Sequence, residues 1–234
     1  MLAVRWPVRL VVAVVLAAGI DAPSAAAGDT VFPFVPGTTW TYAGSVKWTV
    51  PDTTPTQVRT SEVRWTSRIV DAFDHGDVAA ALLSGSVWDV AWWSRENVPG
   101  RIVVVRSGAC YFLVNDHADD IFRALKRSRR SALPAHSELD PWFSVPLTVG
   151  QVSRPADLGP RDDTYYGWLV ERASGPGYVL TYRTLASEDS VTLVPGIGIT
   201  SFLFRHHGTV AEAHLHIVAY RPGRRAEHAQ RRSR

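Results

Sequence analysis

Cysteine is almost missing from this chain. Among its 234 residues only Cys110 carries a thiol, so no intramolecular disulfide can form and packing alone must hold the fold, even in an oxidising compartment. Ala109 and Tyr111 flank that cysteine and no basic residue adjoins it, which predicts a buried structural thiol rather than a reactive one. Long apolar runs are also lacking. The most continuous, residues 10–20, is about 11 residues long, well short of the roughly 20 that a membrane-spanning helix needs. The sequence contains no Gly-x-Ser-x-Gly elbow, no His-Glu-x-x-His pair and no phosphate-loop spacing. No cofactor is therefore expected, and hydrolysis has no motif behind it. The net charge of +3 is too small to suggest a specific nucleic-acid partner.

What is present begins with an export signal. Arg5 and Arg9 supply a positive start, the apolar run follows, and Ala25-Ala26-Ala27 places small side chains where a signal peptidase requires them. Cleavage between Ala27 and Gly28 is predicted, and no cysteine follows the run to accept a lipid. Residues 28–220 then suffice for one domain with a sizeable core. Residues 221–234 hold six arginines against Glu227 and almost no apolar residues, the composition of a disordered tail. Such a tail either attracts anionic polymers weakly or merely collects arginine, which outnumbers lysine throughout.

Period-two patterning is the strongest structural signal. Trp40, Tyr42, Val46, Trp48 and Val50 share one parity, and Thr39, Thr41, Ser45, Lys47 and Thr49 the other, which predicts a half-buried strand. Val63, Trp65 and Ile69 alternate with Glu62, Arg64, Thr66 and Arg68 in a second. Further strands are expected at residues 78–83, 87–95, 101–106 and 109–114. Asn115 or Asp116 should then cap a helix over residues 118–126, with Asp119 and Asp120 in its first turn. Residues 131–161 read as a long covering loop containing Trp142 and Phe143. Tyr166, Trp168 and Val170 alternate again, residues 174–177 form a turn, Tyr178, Leu180 and Tyr182 return, and a section beginning at Val191 and Leu193 leads to a last hairpin. The expected fold is mainly β, a curved antiparallel sheet of about ten strands with one short helix, as a half-barrel, a barrel or a sandwich.

His206, His207, His214 and His216 invite a metal-site reading. A two-residue turn at His207-Gly208 pairs Ser201 with His214 and Ile199 with His216. That register sets His207 roughly 20 Å along the hairpin from the level of His214 and puts Phe202, Phe204, Ala211, Ala213, Leu215 and Ile217 on the core face. No metal site is expected. The run from Asn115 to Asp120 is more economically a helix start than a carboxylate site. Aromatics are in surplus, with nine tryptophans. Trp88, Trp92, Phe202 and Phe204 are the candidate lining of a ligand surface, with core packing as the simpler alternative.

Phe32-Pro33-Phe34-Val35-Pro36-Gly37-Thr38-Thr39-Trp40-Thr41-Tyr42 resembles the opening of a group of bacterial secreted proteins of unknown function, and Pro195-Gly196-Ile197-Gly198-Ile199 resembles the glycine motif before their last hairpin. The resemblance implies a curved antiparallel sheet akin to the half-barrel of periplasmic lipoprotein carriers, with no catalytic residue to carry over. Together these readings favour an exported, periplasmic or extracellular, non-enzymatic protein that holds a hydrophobic or lipid-like ligand on the concave face of its sheet. The alternatives are a surface or interaction protein with a solid core and, with least support, a secreted hydrolase.

Overall fold

The computed structural model describes residues 31–50, 53–93, 97–128, 139–159, 161–172 and 175–224. The expected signal and its Ala27–Gly28 junction lie outside the described residues, as does the part of the tail beyond residue 224. Twelve strands form one sheet: β1 (Thr39–Val50), β2 (Gln57–Asp74), β3 (Val78–Ser84), β4 (Arg101–Ser107), β5 (Cys110–Val114), β6 (Asp140–Ser144), β7 (Val152–Ser153), β8 (Trp168–Arg172), β9 (Tyr178–Arg183), β10 (Ser187–Val194), β11 (Gly198–His206) and β12 (Ala211–Arg221). Their spatial order is β6-β5-β4-β3-β2-β1-β12-β11-β10-β9-β8-β7, antiparallel at every step. The chain thus winds up and down around a barrel that closes through β1 and β12. It stays unladdered only between β6 and β7, where the Gln151 side-chain amide donates to the Ser144 carbonyl (3.3 Å) and hydroxyl.

Alternation places the core as the sequence predicts. Trp40, Tyr42, Val46, Trp65 and Ile69 are buried inside, while Arg64, Thr66 and Arg68 point out. Strands β3 and β4 differ from that pattern, because six consecutive residues of β3 and four of β4 are buried. Their outer face is covered by α1 (Ala118–Arg127), whose Ala118, Ile121, Phe122 and Leu125 pack on Val78, Ala80, Leu82, Val103 and Val105. A sheet covered on both sides tolerates the continuous run Ile102-Val103-Val104-Val105. The helix starts after His117, which adopts a left-handed conformation with φ 53° and makes no side-chain cap, so neither Asn115 nor Asp116 plays the capping part expected of it. Lys126 Nζ reaches Asp71 at 2.6 Å and ties the helix to β2.

A twelve-stranded wall encloses more room than wall side chains alone fill, and two chain segments occupy the surplus. At the end where β1 begins, residues 31–36 cork the barrel. Phe32 is buried against Trp40 and Trp142, and Gly196 N donates to the Val31 carbonyl. Gly198 sits at φ +94° under the Phe32 ring, where a side chain would lie 3.3 Å from the ring carbons. At the other end the chain after β3 turns inward. The segment expected as a strand over residues 87–95 is a 3-10 turn, Val87–Val90, with the Ser86 hydroxyl accepting from Trp88 N. Val87, Val90 and Ala91 are its buried residues. Their i, i+3, i+4 spacing is helical, and it outweighs the accidental alternation of Trp88, Val90 and Trp92.

Three other expectations need correction. Trp142 and Phe143 belong to β6, not to a loop, and both are almost fully buried. Cys110 is exposed at the first position of β5, because the inward parity of that strand goes to Tyr111 and Leu113. The last hairpin turns through residues 207–210 rather than two residues, so Ser201 faces His216 and Leu203 faces His214. His206 Nδ1 accepts from the backbone N–H of Gly208 (3.2 Å) and Thr209 (3.0 Å), which fixes this longer turn. A shift of two residues preserves facing, so Phe202, Phe204, Ala211, Ala213 and Leu215 are buried as expected.

Candidate functional site

The concave face is filled by the protein itself. The space between Trp40, Tyr42, Leu83, Trp88, Ile102 and Ile199 amounts to about 10 Å³, the lower limit for a single water. Trp88 stands in the middle of this packing, with ring centroids 6.1 Å from Trp142, 6.1 Å from Trp168 and 6.0 Å from Phe202. Ligand space lies instead at the two mouths.

At the corked end a shallow cleft of about 520 Å³ runs between residues 33–36, residues 72–74 and Tyr220. Its carboxylate, Asp74, already accepts from Arg106 Nη2 (3.1 Å) and Gly76 N (3.0 Å). The cleft's carboxylate is therefore already engaged, although the buried Nε of Arg106, which lies over Phe34 of this cleft, has no partner among the described residues.

The opposite mouth differs. A pocket of about 230 Å³ opens where β6 fails to meet β7 and β8, with Trp88, Trp168 and Tyr182 as an aromatic wall and Asp140, Asp189 and Asn115 as its polar groups. Trp168 and Tyr182 are 5.5 Å apart, and both belong to strand faces that point inward. Asp189 shares the parity of Val191 and Leu193, which are fully buried, so its carboxylate points into the barrel rather than out. Its Oδ1 is buried and has no hydrogen-bond partner among the described residues. Burial, reinforced by neighbouring Glu188, pushes the Asp189 carboxyl up to about 7. The adjacent cation does not help, because Arg183 is taken up by Glu188 at 2.8 Å and Glu171 at 3.7 Å.

Asp140 stands at the rim, raised above the usual carboxylate range by partial burial and by the charges of Asp116 and Asp157. Burial also raises the Tyr182 hydroxyl, with Asp140 and Asp189 adding to the effect. Behind the wall, the buried Trp142 indole N–H is likewise without a partner among the described residues. A group buried without a partner costs about 1–3 kcal/mol.

Of the four aromatic residues expected to contact a ligand, only Trp88 lines this pocket. Phe202 and Phe204 are buried in the core, and Trp92 lies over Phe204 and His206, 58% exposed. Asp189 was legible in principle. Extending the Val191, Leu193 alternation back two residues places a carboxylate on the core face, a conflict that marks functional positions. Among the described residues no cluster of three or more His, Cys, Asp or Glu could hold a metal ion, and no helix is long and apolar enough to cross a membrane.

No family model matches the chain, and no curated protein matches it in sequence. Among solved structures it is similar to a candidate exported protein with a YmcC-like fold from Bacteroides fragilis, at 9% identity over 83% of this chain and 100% of that one, with a TM-score of 0.40.

Proposed function

We propose that this chain is an exported binding protein without catalytic activity, and that it holds a small ligand in the seam-side mouth of the barrel rather than across its concave face. The observation that carries the reading is the contrast between the inner space beside Trp40, Trp88 and Ile199, about 10 Å³, and a mouth pocket of about 230 Å³ with an aromatic wall and an unpartnered inward carboxylate. Binding sites are concave and mostly apolar, with a few polar groups that fix orientation. This pocket is smaller than the roughly 300–1,000 Å³ of drug-sized clefts, which favours a small molecule or the head of a larger one over a buried lipid chain. Export rests on the charge, apolar run and alanines of residues 1–27. The resemblance to secreted bacterial proteins fits the same reading, since the two motifs that carry it are those that cork the far end.

Two measurements test it. Expression of the full chain in a bacterial host should yield an exported product whose amino terminus is Gly28, and retention of Met1 in the cytoplasm would remove the export half. For the binding half, ligand-observed NMR with choline, 3,3-dimethyl-1-butanol, 3,3-dimethylbutanoate and methyl glucoside should give saturable, one-to-one binding by at least one probe. That binding should vanish in Asn115→Trp, which fills the mouth from an exposed rim position. No binding by any probe, or binding indifferent to that variant, overturns the site.

A further inference from the structure

We infer that the mouth pocket selects an organic cation, an ammonium group on a compact apolar body, held between the Trp88, Trp168 and Tyr182 wall and the carboxylates of Asp189 and Asp140. The inference rests on the reading of this pocket as a ligand site and names the ligand class.

Charge chemistry decides the class. Among the described residues, the pocket is lined by two carboxylates and by no lysine, arginine or histidine, so an anion would find no cation to pair with, only neutral donors such as the Asn115 amide and the Tyr182 hydroxyl. Neither Asp140 nor Asp189 takes part in an ion pair among the described residues, although eight other acidic side chains do. Asp189 is held inward by the parity of β10 and has a buried oxygen with nothing to accept from. A cation supplies that missing partner, and in a desolvated pocket the attraction is far stronger than in water.

The wall adds a second, independent attraction. The indole of Trp168 stands between Trp88 at 6.1 Å and Tyr182 at 5.5 Å, at interplanar angles of 80° and 44°, so ring surfaces at several inclinations bound one small space. Ring faces carry negative potential and attract ammonium groups, and aromatic cages recognise quaternary ammonium ligands by this means. A bare metal ion lacks the oxygen ligands it would need, since no group of three or more candidate ligands exists among the described residues. Asp116 and Asp157 lie near enough to act on Asp140 electrostatically, and acidic charge beside a cleft draws cations towards it.

The test uses three probes of nearly one shape and different charge, with the full mature chain. Choline should bind at least tenfold more tightly than its uncharged isostere 3,3-dimethyl-1-butanol, and 3,3-dimethylbutanoate should bind more weakly than either. Asp189→Asn should cut choline affinity tenfold or more while leaving 3,3-dimethyl-1-butanol within twofold, a split that general damage to the pocket would not produce. Equal affinity for choline and the alcohol, with both lost in Asn115→Trp, would overturn the cation inference and leave the ligand site standing. Preference for methyl glucoside would overturn it in favour of a sugar. If no probe binds, both readings fall.

Discussion

The indole N–H of Trp40 donates to the carbonyl of Ile197 at 2.7 Å across 157 residues of sequence. Two residues further along β1, the Tyr42 hydroxyl donates to the Ile199 carbonyl at 2.9 Å with the same separation. These bonds fasten the first strand to the Pro195-Gly196-Ile197-Gly198 turn at the corked end, beneath Phe32. Trp40→Phe should lower stability by about 3 kcal/mol, from lost volume and an Ile197 carbonyl left without its donor. Tyr42→Phe should cost about 1–2 kcal/mol. Urea unfolding would measure both, and a Trp40→Phe midpoint equal to the parent's would show that the bond contributes nothing.

Asp189→Asn should alter stability in a pH-dependent way. The folded Asp189 carboxyl titrates at about 7 against an ordinary value of 3.8, so between these limits the folded chain keeps a proton that the unfolded chain has released. Its contribution to stability is therefore greatest below about pH 4 and is lost as the pH rises through about 7. A shift of this size corresponds to about 4 kcal/mol. Glu188, Tyr182 and, at the rim, Asp140 share its surroundings, and Arg183 is occupied elsewhere. The amide variant should be roughly 2–4 kcal/mol more stable than the parent at pH 8 and indistinguishable from it near pH 4. Equal stability at both pH values would mean that the carboxylate is solvated. The same substitution that stabilises the fold is expected to abolish cation selectivity, the opposition between stability and function found at binding sites.

Gly44 pairs with Leu215 of β12 and leaves no room for a side chain. A Cβ there would stand 1.8 Å from the His214 carbonyl oxygen, so Gly44→Ala must spread the pairing that closes the barrel. The expected loss exceeds about 3 kcal/mol. Gly76→Ala is the contrasting case, with open space around the added methyl but φ +86°, and should cost only about 1–2 kcal/mol. Thermal melts would rank them, and the reverse order would refute the packing account.

Cys110 should react with a water-soluble disulfide reagent in the folded state, one thiol per chain, because it is exposed. Cys110→Ser should leave the unfolding midpoint within about 0.5 kcal/mol of the parent. A thiol that reacts only after denaturation would contradict its position.

How much of this was legible in the sequence depended on periodicity. The parity of Trp40, Tyr42, Val46, Trp65 and Ile69 placed the sheet's inner face, and the Phe202 and Phe204 parity survived even though the hairpin turn was two residues longer than expected. Parity is a local property. The turn length depended on a side-chain acceptor, His206 Nδ1, that propensity does not reveal. Burial on both faces misled as well: Trp142 and Phe143 are adjacent and both enclosed, so β6 shows no alternation to read. The site was hidden for a related reason. Its aromatic wall looked like core, its carboxylate lay before the point where alternation became obvious, and the aromatic residues chosen for a concave surface turned out, apart from Trp88, to pack elsewhere.

The pairing of β1 with β12 also orders events in time. A chain that emerges with its amino terminus first, from a ribosome or a translocation channel, can form the β1–β2 hairpin early, yet the other edge of β1 waits until residues 211–221 have followed. Closure is thus a late step of high sequence separation, intrinsically slow to form. Until the last hairpin arrives, Trp40 and Tyr42 have no carbonyls to bond and the cork has no turn beneath it. Such a chain remains threadable until residues 211–221 have followed and paired with β1.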